Sequence, residues 1–194
     1  MFKKLIFIIT IILFLYAPSN VLKAQWDDGD KPPLKERIFF GGNIALQFGT
    51  ITFIEVSPLA GIRLTPRFSP GISLIYNYYK ENTFTTYDTH IFGGSVFSRY
   101  TLMQNMNKFI PLGINASIIA HGEYEALNLE SQYFDVLGTQ GNQDRFWQHN
   151  VYVGGGLGFH AGKNSMFTIF ILWNLNETEN SLYSNPVVRV GFVF

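Results

Sequence analysis

His121, Glu123 and Glu125 stand at i, i+2 and i+4, so in an extended segment the three side chains project from one face. An imidazole and two carboxylates placed this way are ligand types that suit zinc or manganese. An imidazole beside acids can also titrate near neutral pH and pass protons. When the chain is read as strands, Glu55, Arg63, Arg99 and Arg189 fall on the same side of their own segments as this cluster. Three acids then meet three arginines, with His121 beside them. A structural metal site wants a fourth protein ligand, and the arginines are the more obvious partners for the carboxylates. The residues therefore favour a salt-bridge network that fills an interior, ahead of an ion or proton path and ahead of a metal site. Burying six such charges is tolerable only if they pair and saturate their hydrogen bonds.

Other motifs carry less. Gly156-Leu-Gly158-Phe-His-Ala161 has the letters of a dinucleotide fingerprint, but that motif needs a strand before it and a helix after it, and this one lies inside a strand-like run. Its glycines instead make room for bulky Arg, Tyr or Phe across a narrow interior. Asn115-Ala-Ser117 and Asn176-Glu-Thr178 are nominal glycosylation sequons, uninformative if the protein is bacterial. Lipid hydrolysis or acyl transfer needs Ser, His and an acid together. His90 with Ser95 or Asp88, and His149 with Asp144, lie near loops, yet none of His90, His121, His149 and His160 has Ser two positions on, where a strand would align the pair. No catalytic residue, cofactor or resident metal is assigned.

The elements that must hold these residues are strands. Apolar residues alternate with small or polar ones over Ile38–Gly49, Ile51–Leu64, Arg67–Lys80, about Thr89–Thr101, Ile110–Leu127, Phe146–His160, Ser165–Asn176 and the final Pro186–Phe194. In the last, Val188, Val190, Phe192 and Phe194 share one face, and Val187, Arg189, Gly191 and Val193 the other. Eight such segments predict an all-β, eight-stranded antiparallel up-and-down transmembrane β-barrel over residues 38–194. Nineteen Phe, ten Tyr and eighteen Gly suit a wall that meets lipid outside and must be thin inside. A lipocalin-type soluble barrel would need polar outer faces.

Turns and girdles set the orientation. Thr65-Pro66, Gln104 to Lys108 and Ala161 to Asn164 are short, whereas Glu81 to Asp88, Asn128 to Arg145 and Glu177 to Asn185 are longer. Short turns inside and long loops outside match a bacterial barrel. Outward aromatics fall into two bands: Phe40, Phe68, Tyr100, Phe159, Phe167 and Phe194 at the short-turn end, and Phe48, Tyr78, Phe92, Tyr124, Trp147 and Trp173 at the other. Barrels carry such girdles at both membrane interfaces. The long loops, with Tyr183 in the last, mix aromatics with Asn, Ser and Glu and can bind a partner or polysaccharide. Small outward residues, among them Gly42, Ala60, Gly94, Ala116, Ala120 and Gly155, would permit packing against another membrane subunit.

The N-terminus reads as an export signal over residues 1–24: Lys3-Lys4, an apolar run from Leu5 to Tyr16, and cleavage near Ala24. The run is too short for a spanning helix, which needs about 20 residues. Residues 25–37 are polar and contain Pro32-Pro33, so they predict a flexible periplasmic leader. The chain has no cysteine, which leaves neither a lipoprotein anchor nor a disulfide. Fourteen basic and fourteen acidic residues give no electrostatic case for nucleic acid.

The stretches Ile54-Glu-Val-Ser-Pro-Leu-Ala-Gly61, Gly94-Ser-Val-Phe-Ser-Arg-Tyr100, His121-Gly-Glu-Tyr-Glu125, Leu172-Trp-Asn-Leu-Asn176 and Asn185-Pro-Val-Val-Arg-Val-Gly-Phe192 resemble the small outer-membrane β-barrel proteins of the Bacteroidota. The resemblance spans the chain from about Phe39 and implies location and fold, with no catalytic motif to carry over. The expectation is a non-enzymatic barrel in the outer membrane of a Gram-negative bacterium, its lumen closed by side chains, with a structural or accessory-subunit role. Its expected partners are outer-membrane lipid, the barrel-assembly machinery through the strand ending at Phe194, and a larger outer-membrane complex. A lipid-modifying enzyme and a narrow ion or proton pore are the alternatives.

Overall fold

The computed structural model describes residues 26, 31–47, 51–81, 87–108, 115–135, 144–162, 165–178 and 181–194. The compact unit Pro32–Phe194 holds every described strand. They are β1 (Ile38–Gln47), β2 (Ile51–Ile62), β3 (Phe68–Glu81), β4 (Tyr87–Met103), β5 (Ala116–Glu130), β6 (Arg145–His160), β7 (Met166–Asn174) and β8 (Val187–Val193). Each pairs antiparallel with its sequence neighbours, and β8 returns to β1 to close an eight-stranded up-and-down barrel. Closure removes the unpaired edges that an open sheet would leave. At the seam Gly41, Gly42 and Asn43 lie opposite Val193, Phe192 and Gly191, and Phe40 and Phe194 exchange backbone hydrogen bonds of 3.1 and 2.9 Å.

The period-two reading of inside and outside holds along every strand. Outward Ile44, Val56, Leu74, Val96, Tyr124, Val151, Ile171 and Val188 are exposed, while inward Phe39, Glu55, Ile75, Phe97, Glu125, Tyr152, Leu172 and Arg189 are buried. The contrast is wide: outward Leu74 is 69 % exposed and Ile75, the next residue, 4 %. Ala116 departs from it, for it lies on the outward parity yet is fully buried, a single methyl opposite Phe159 on β6. An exposed apolar band thus surrounds a partly polar interior, the reverse of a water-soluble barrel.

Several bounds differ from those predicted. β5 is described from Ala116; its predicted start at Ile110 lies outside the described residues, as do Phe48, Ile114 and the predicted signal segment 1–24. β4 and β5 reach beyond their predicted ends, to Tyr87, Met103 and Glu130. β7 stops at Asn174 instead of Asn176 because side chain replaces ladder there: the Asn176 amide oxygen accepts from the Val151 N–H at 2.7 Å, and its nitrogen donates to the His149 carbonyl at 2.6 Å. The predicted leader ends too late. Leu34–Arg37 form one helical turn, α1, after Pro33, a residue that suits a helix start. The Arg63 N–H donates to the Arg37 carbonyl at 2.8 Å, tying this turn to the end of β2.

Two ends can be distinguished. At the turn end β2 passes to β3 through Arg63–Arg67, where the Thr65 hydroxyl accepts from the N–H groups of Arg67 and Phe68 at 3.2 and 2.8 Å. The loop end is uneven: β4, β5 and β6 have 17, 15 and 16 residues, β7 and β8 only 9 and 7. The connection from β7 to β8 occupies the low side of that rim.

Candidate functional site

The interior is divided by one arginine. Arg189, on β8, reaches across to β5 and donates from Nη1 to Glu123 and from Nη2 to Glu125, both at 2.6 Å. These are short charge-assisted bonds between buried groups. Its guanidinium also lies over the Tyr152 ring, 4.9 Å from the centroid. His121 joins through Nε2, 2.9 Å from the Glu123 carboxylate. The other Glu125 oxygen accepts from Asn150 at 3.0 Å, and Asn150 in turn accepts from Asn174 at 2.9 Å. Every acid oxygen named faces a donor, while Arg189 Nε and His121 Nδ1 are buried without a partner among the described residues.

Glu55 belongs to a separate unit. One of its oxygens accepts from the Ser57 hydroxyl and the other from the Tyr183 hydroxyl, each at 2.7 Å. Tyr183 comes from the β7–β8 connection and enters the barrel, where it accepts from Asn77 at 3.1 Å and meets the Phe53 ring edge-on at 5.5 Å. Burial, and then the Glu55 carboxylate beside it, push its phenol well above the ordinary tyrosine range, so it stays a donor. Asn185 anchors the connection by accepting from the Asn174 N–H at 2.6 Å and donating to the Asn174 carbonyl at 2.9 Å. Tyr183 and Leu182 pack against the buried loop-end cluster of Ile75, Ile91, Leu127, Leu129 and Phe146.

The predicted network of three acids, three arginines and His121 is assembled only in part. Arg189 takes two acids, Glu55 takes none of the arginines, and Arg63 and Arg99 pair with no acid among the described residues. The reason is position along the barrel, which parity does not reveal. Arg99 lies toward the turn end opposite His121, with its guanidinium over the rings of Phe97 (4.7 Å) and Phe170 (5.0 Å). Arg63 sits at the mouth, 5.4 Å over the Phe39 ring, and makes one long contact of 3.4 Å to the Glu36 carbonyl. The metal arrangement drawn from His121, Glu123 and Glu125 is not assembled, because Arg189 occupies both carboxylates; no group of three or more metal-ligating side chains gathers among the described residues.

The glycines predicted to make room across the interior, Gly154, Gly156 and Gly158, instead face the adjacent strands, the first meeting Ile171 and Leu172 backbone, the second Phe170 and the Ile169 carbonyl, the third Met166 and Ile119; rings are accommodated by glycines of other strands. A Cβ on Gly61 would lie 2.2 Å from the Phe39 ring, and one on Gly71 would lie 2.3 Å from Phe97. Phe39 and Phe97 share a buried cluster with Leu59 and Val193. Two large rings fit a narrow interior only because the wall facing them is bare.

On the outer wall, His90 and His149 each lie against a tyrosine. His90 faces outward and Ser95 inward, on opposite faces of β4, so the pair is separated by strand parity. His90 Nδ1 instead sits 2.8 Å from the Tyr76 hydroxyl and His149 Nδ1 2.8 Å from the Tyr124 hydroxyl, with each ring stacked on its tyrosine. These twin Tyr–His pairs cross two different hairpins and need the register to be found, although their outward parity is readable.

Of the predicted aromatic bands, Phe40, Phe92, Tyr124, Trp147, Phe167, Trp173 and Phe194 are exposed on the outer face, and Phe48 lies outside the described residues. At the turn end Phe68 lies opposite Tyr100, Phe159 opposite Phe167, and Phe40 beside Phe194. At the loop end Phe92 and Trp147 flank Asn128 from either side, Tyr78 lies opposite His90, and Trp173 opposite Val153. Tyr124 lies four residues along β5 from Asn128, so this band is stepped in register.

Compared with known proteins, the chain matches no protein-family model and no curated protein sequence.

Proposed function

We propose that this chain is an integral outer-membrane β-barrel with a structural or accessory-subunit role and no catalytic activity of its own. The observation that carries the reading is the exposed apolar wall. Large apolar side chains stand outward on all eight strands, from Phe40 and Ile44 on β1 to Val188 and Phe192 on β8, while Glu55, Asn77, Asn150 and Arg189 are buried inside. A wall of that kind is stable against lipid and a liability in water. The aromatic bands suit the two interfaces, and the tyrosine and histidine rings near the loop end suit the headgroup level.

In this reading a signal peptide is removed near Ala24, the turn end faces the periplasm and the loop end the outside. The barrel-assembly machinery engages the strand that ends in Phe194. The likeness to the small Bacteroidota barrels belongs to the same reading. A side-chain-filled interior favours a wall or subunit over a pore, since Arg189 and Tyr183 reach across the lumen to acids on other strands, and Tyr152 fills the space beside Glu125 on the neighbouring strand.

The test is gentle detergent extraction of outer membranes from cells carrying the tagged full-length chain, followed by native mass and identification of what co-purifies. Recovery in the soluble periplasmic fraction would defeat the membrane reading. A stoichiometric partner would establish an accessory subunit, whereas a lone barrel that migrates faster on unheated gels would establish a self-sufficient wall protein.

A further inference from the structure

Arg99 is 7 % exposed, yet no hydrogen bond or ion pair reaches its guanidinium from another described residue, and its Nε is buried without a partner. Glu123, the interior acid nearest to it in register, is already taken by Arg189 and His121. Glu123 still attracts it through space, but a desolvated guanidinium with no bonded partner is costly, and proteins rarely keep one that nothing satisfies. The two flanking rings, Phe97 and Phe170, hold the guanidinium in place without neutralising it.

In front of Arg99 is a cavity of about 380 Å³ at the turn end. Arg63 lines it as a second cation, the hydroxyl-bearing Ser69 and Thr101 are among its lining residues, and Pro66 and Ser165 bring it to the turn segments. No acidic side chain is among its described lining residues. The volume is at the lower end of the roughly 300–1,000 Å³ that small-molecule sites occupy. It exceeds what a bare ion needs and suits an oxyanion carried on a small polar body. A pinned, planar guanidinium with a second arginine and two hydroxyls is the donor set that recognises the several acceptor oxygens of a phosphate.

We infer that the turn-end cavity is a binding site for a phosphate-bearing small molecule, with Arg99 as the buried anchor and Arg63 as the cation at its mouth. The free solute and a lipid headgroup share this chemistry. The site is independent of the metal and proton chemistry considered for His121, Glu123 and Glu125, and it does not depend on where the barrel resides.

The full chain, folded in an uncharged detergent, is titrated with inorganic phosphate and with glycerol phosphate, at ionic strength matched by sodium chloride. Calorimetric binding and the thermal midpoint are the readouts. The wild type should bind saturably and gain several degrees with phosphate but not with chloride, since a ligand that binds only the folded state raises its stability. Arg99→Met should lose the phosphate-dependent gain while its phosphate-free midpoint stays equal or rises, because an uncompensated buried charge has been replaced by an apolar chain. Arg99→Lys should keep a smaller gain, and Arg63→Gln should weaken binding by at least about tenfold. A parallel measurement in phosphatidylcholine vesicles with and without phosphatidylglycerol separates the sources: a gain from the lipid alone assigns the headgroup, a gain from the solute assigns a soluble ligand. Absence of any phosphate-specific gain in the wild type overturns the inference. So does a gain that survives in Arg99→Met, and if that variant does not fold, the same outcome in Arg63→Gln decides.

Discussion

At the loop end of the interior, Tyr183 bonds both Glu55 and Asn77, and a cluster of Ile75, Ile91, Leu127, Leu129 and Phe146 fills the space around them. At the turn end, Arg99 and Arg63 lie over aromatic rings and face a cavity that no described acidic side chain lines. Arg189 with Glu123 and Glu125 forms the floor between them. Both ends are built from the same alternating strands, so the difference is not one of local structure. It comes from what enters from outside the wall: the β7–β8 connection sends Tyr183 and Leu182 inward at one end, and no described turn segment does the same at the other. Charge follows space, since acids are satisfied where the packing is dense and cations stand open where it is not.

The sharpest way to break this contrast is to remove its floor. Arg189→Met leaves two buried carboxylates facing each other without a cation, and breaking a buried pair in this way costs about 3–5 kcal/mol. Denaturant unfolding in detergent, followed by tryptophan fluorescence or by loss of the unheated gel shift, measures it; an unchanged midpoint would mean that packing alone closes the interior. Next is Tyr183→Ala. It strips a large ring from the loop-end plug and one donor from Glu55, an expected loss of about 3 kcal/mol. The same variant in planar bilayers should conduct more than the wild type if Tyr183 is what fills that end. Tyr183→Phe keeps the ring and removes only the hydroxyl, so its loss should be about 1–2 kcal/mol.

A third variant tests the turn-end wall. Gly61→Ala drives a methyl into the Phe39 ring, an overpacking that costs about 1–3 kcal/mol. The loss should be relieved in the Gly61→Ala, Phe39→Leu double variant, because every close neighbour of the added methyl belongs to the Phe39 side chain. Gly71→Ala offers a harder case, since its added methyl also meets the Ala60 carbonyl oxygen and no side-chain change can relieve that. The smallest effect is expected from Arg63→Gln without ligand, within about 0.5 kcal/mol, since the residue is half-buried at the rim and makes one long bond. A large loss there would show that the mouth is held by Arg63 and would end the contrast between the two regions.

The strands themselves were legible to within a few residues. Val187, Arg189, Gly191 and Val193 point inward and Val188, Val190, Phe192 and Phe194 outward, as their spacing alone predicts. Less was legible where side chains imitate backbone. Asn176 completes the β6 ladder with its amide, which no propensity distinguishes from one more strand residue, and Leu34–Arg37 turn once before β1 because Arg63 holds the turn's carbonyls from another strand. Tyr183 looks like a loop-tip residue by its polar neighbours and is a plug by its contacts. The reading of that loop as a free external surface is corrected on this point.

The sequence by itself determined the number of strands, the face on which each side chain lies and the inventory of inward charges, because period-two alternation is a property of the local backbone. Only the tertiary structure decided which charges meet. Arg189 on β8 finds Glu123 and Glu125 on β5, Glu55 finds a tyrosine from a distant connection, and Arg99 is left to face a cavity. Those outcomes depend on register, stagger and closure. They are set by all eight strands together, and no single strand carries them in its own residues.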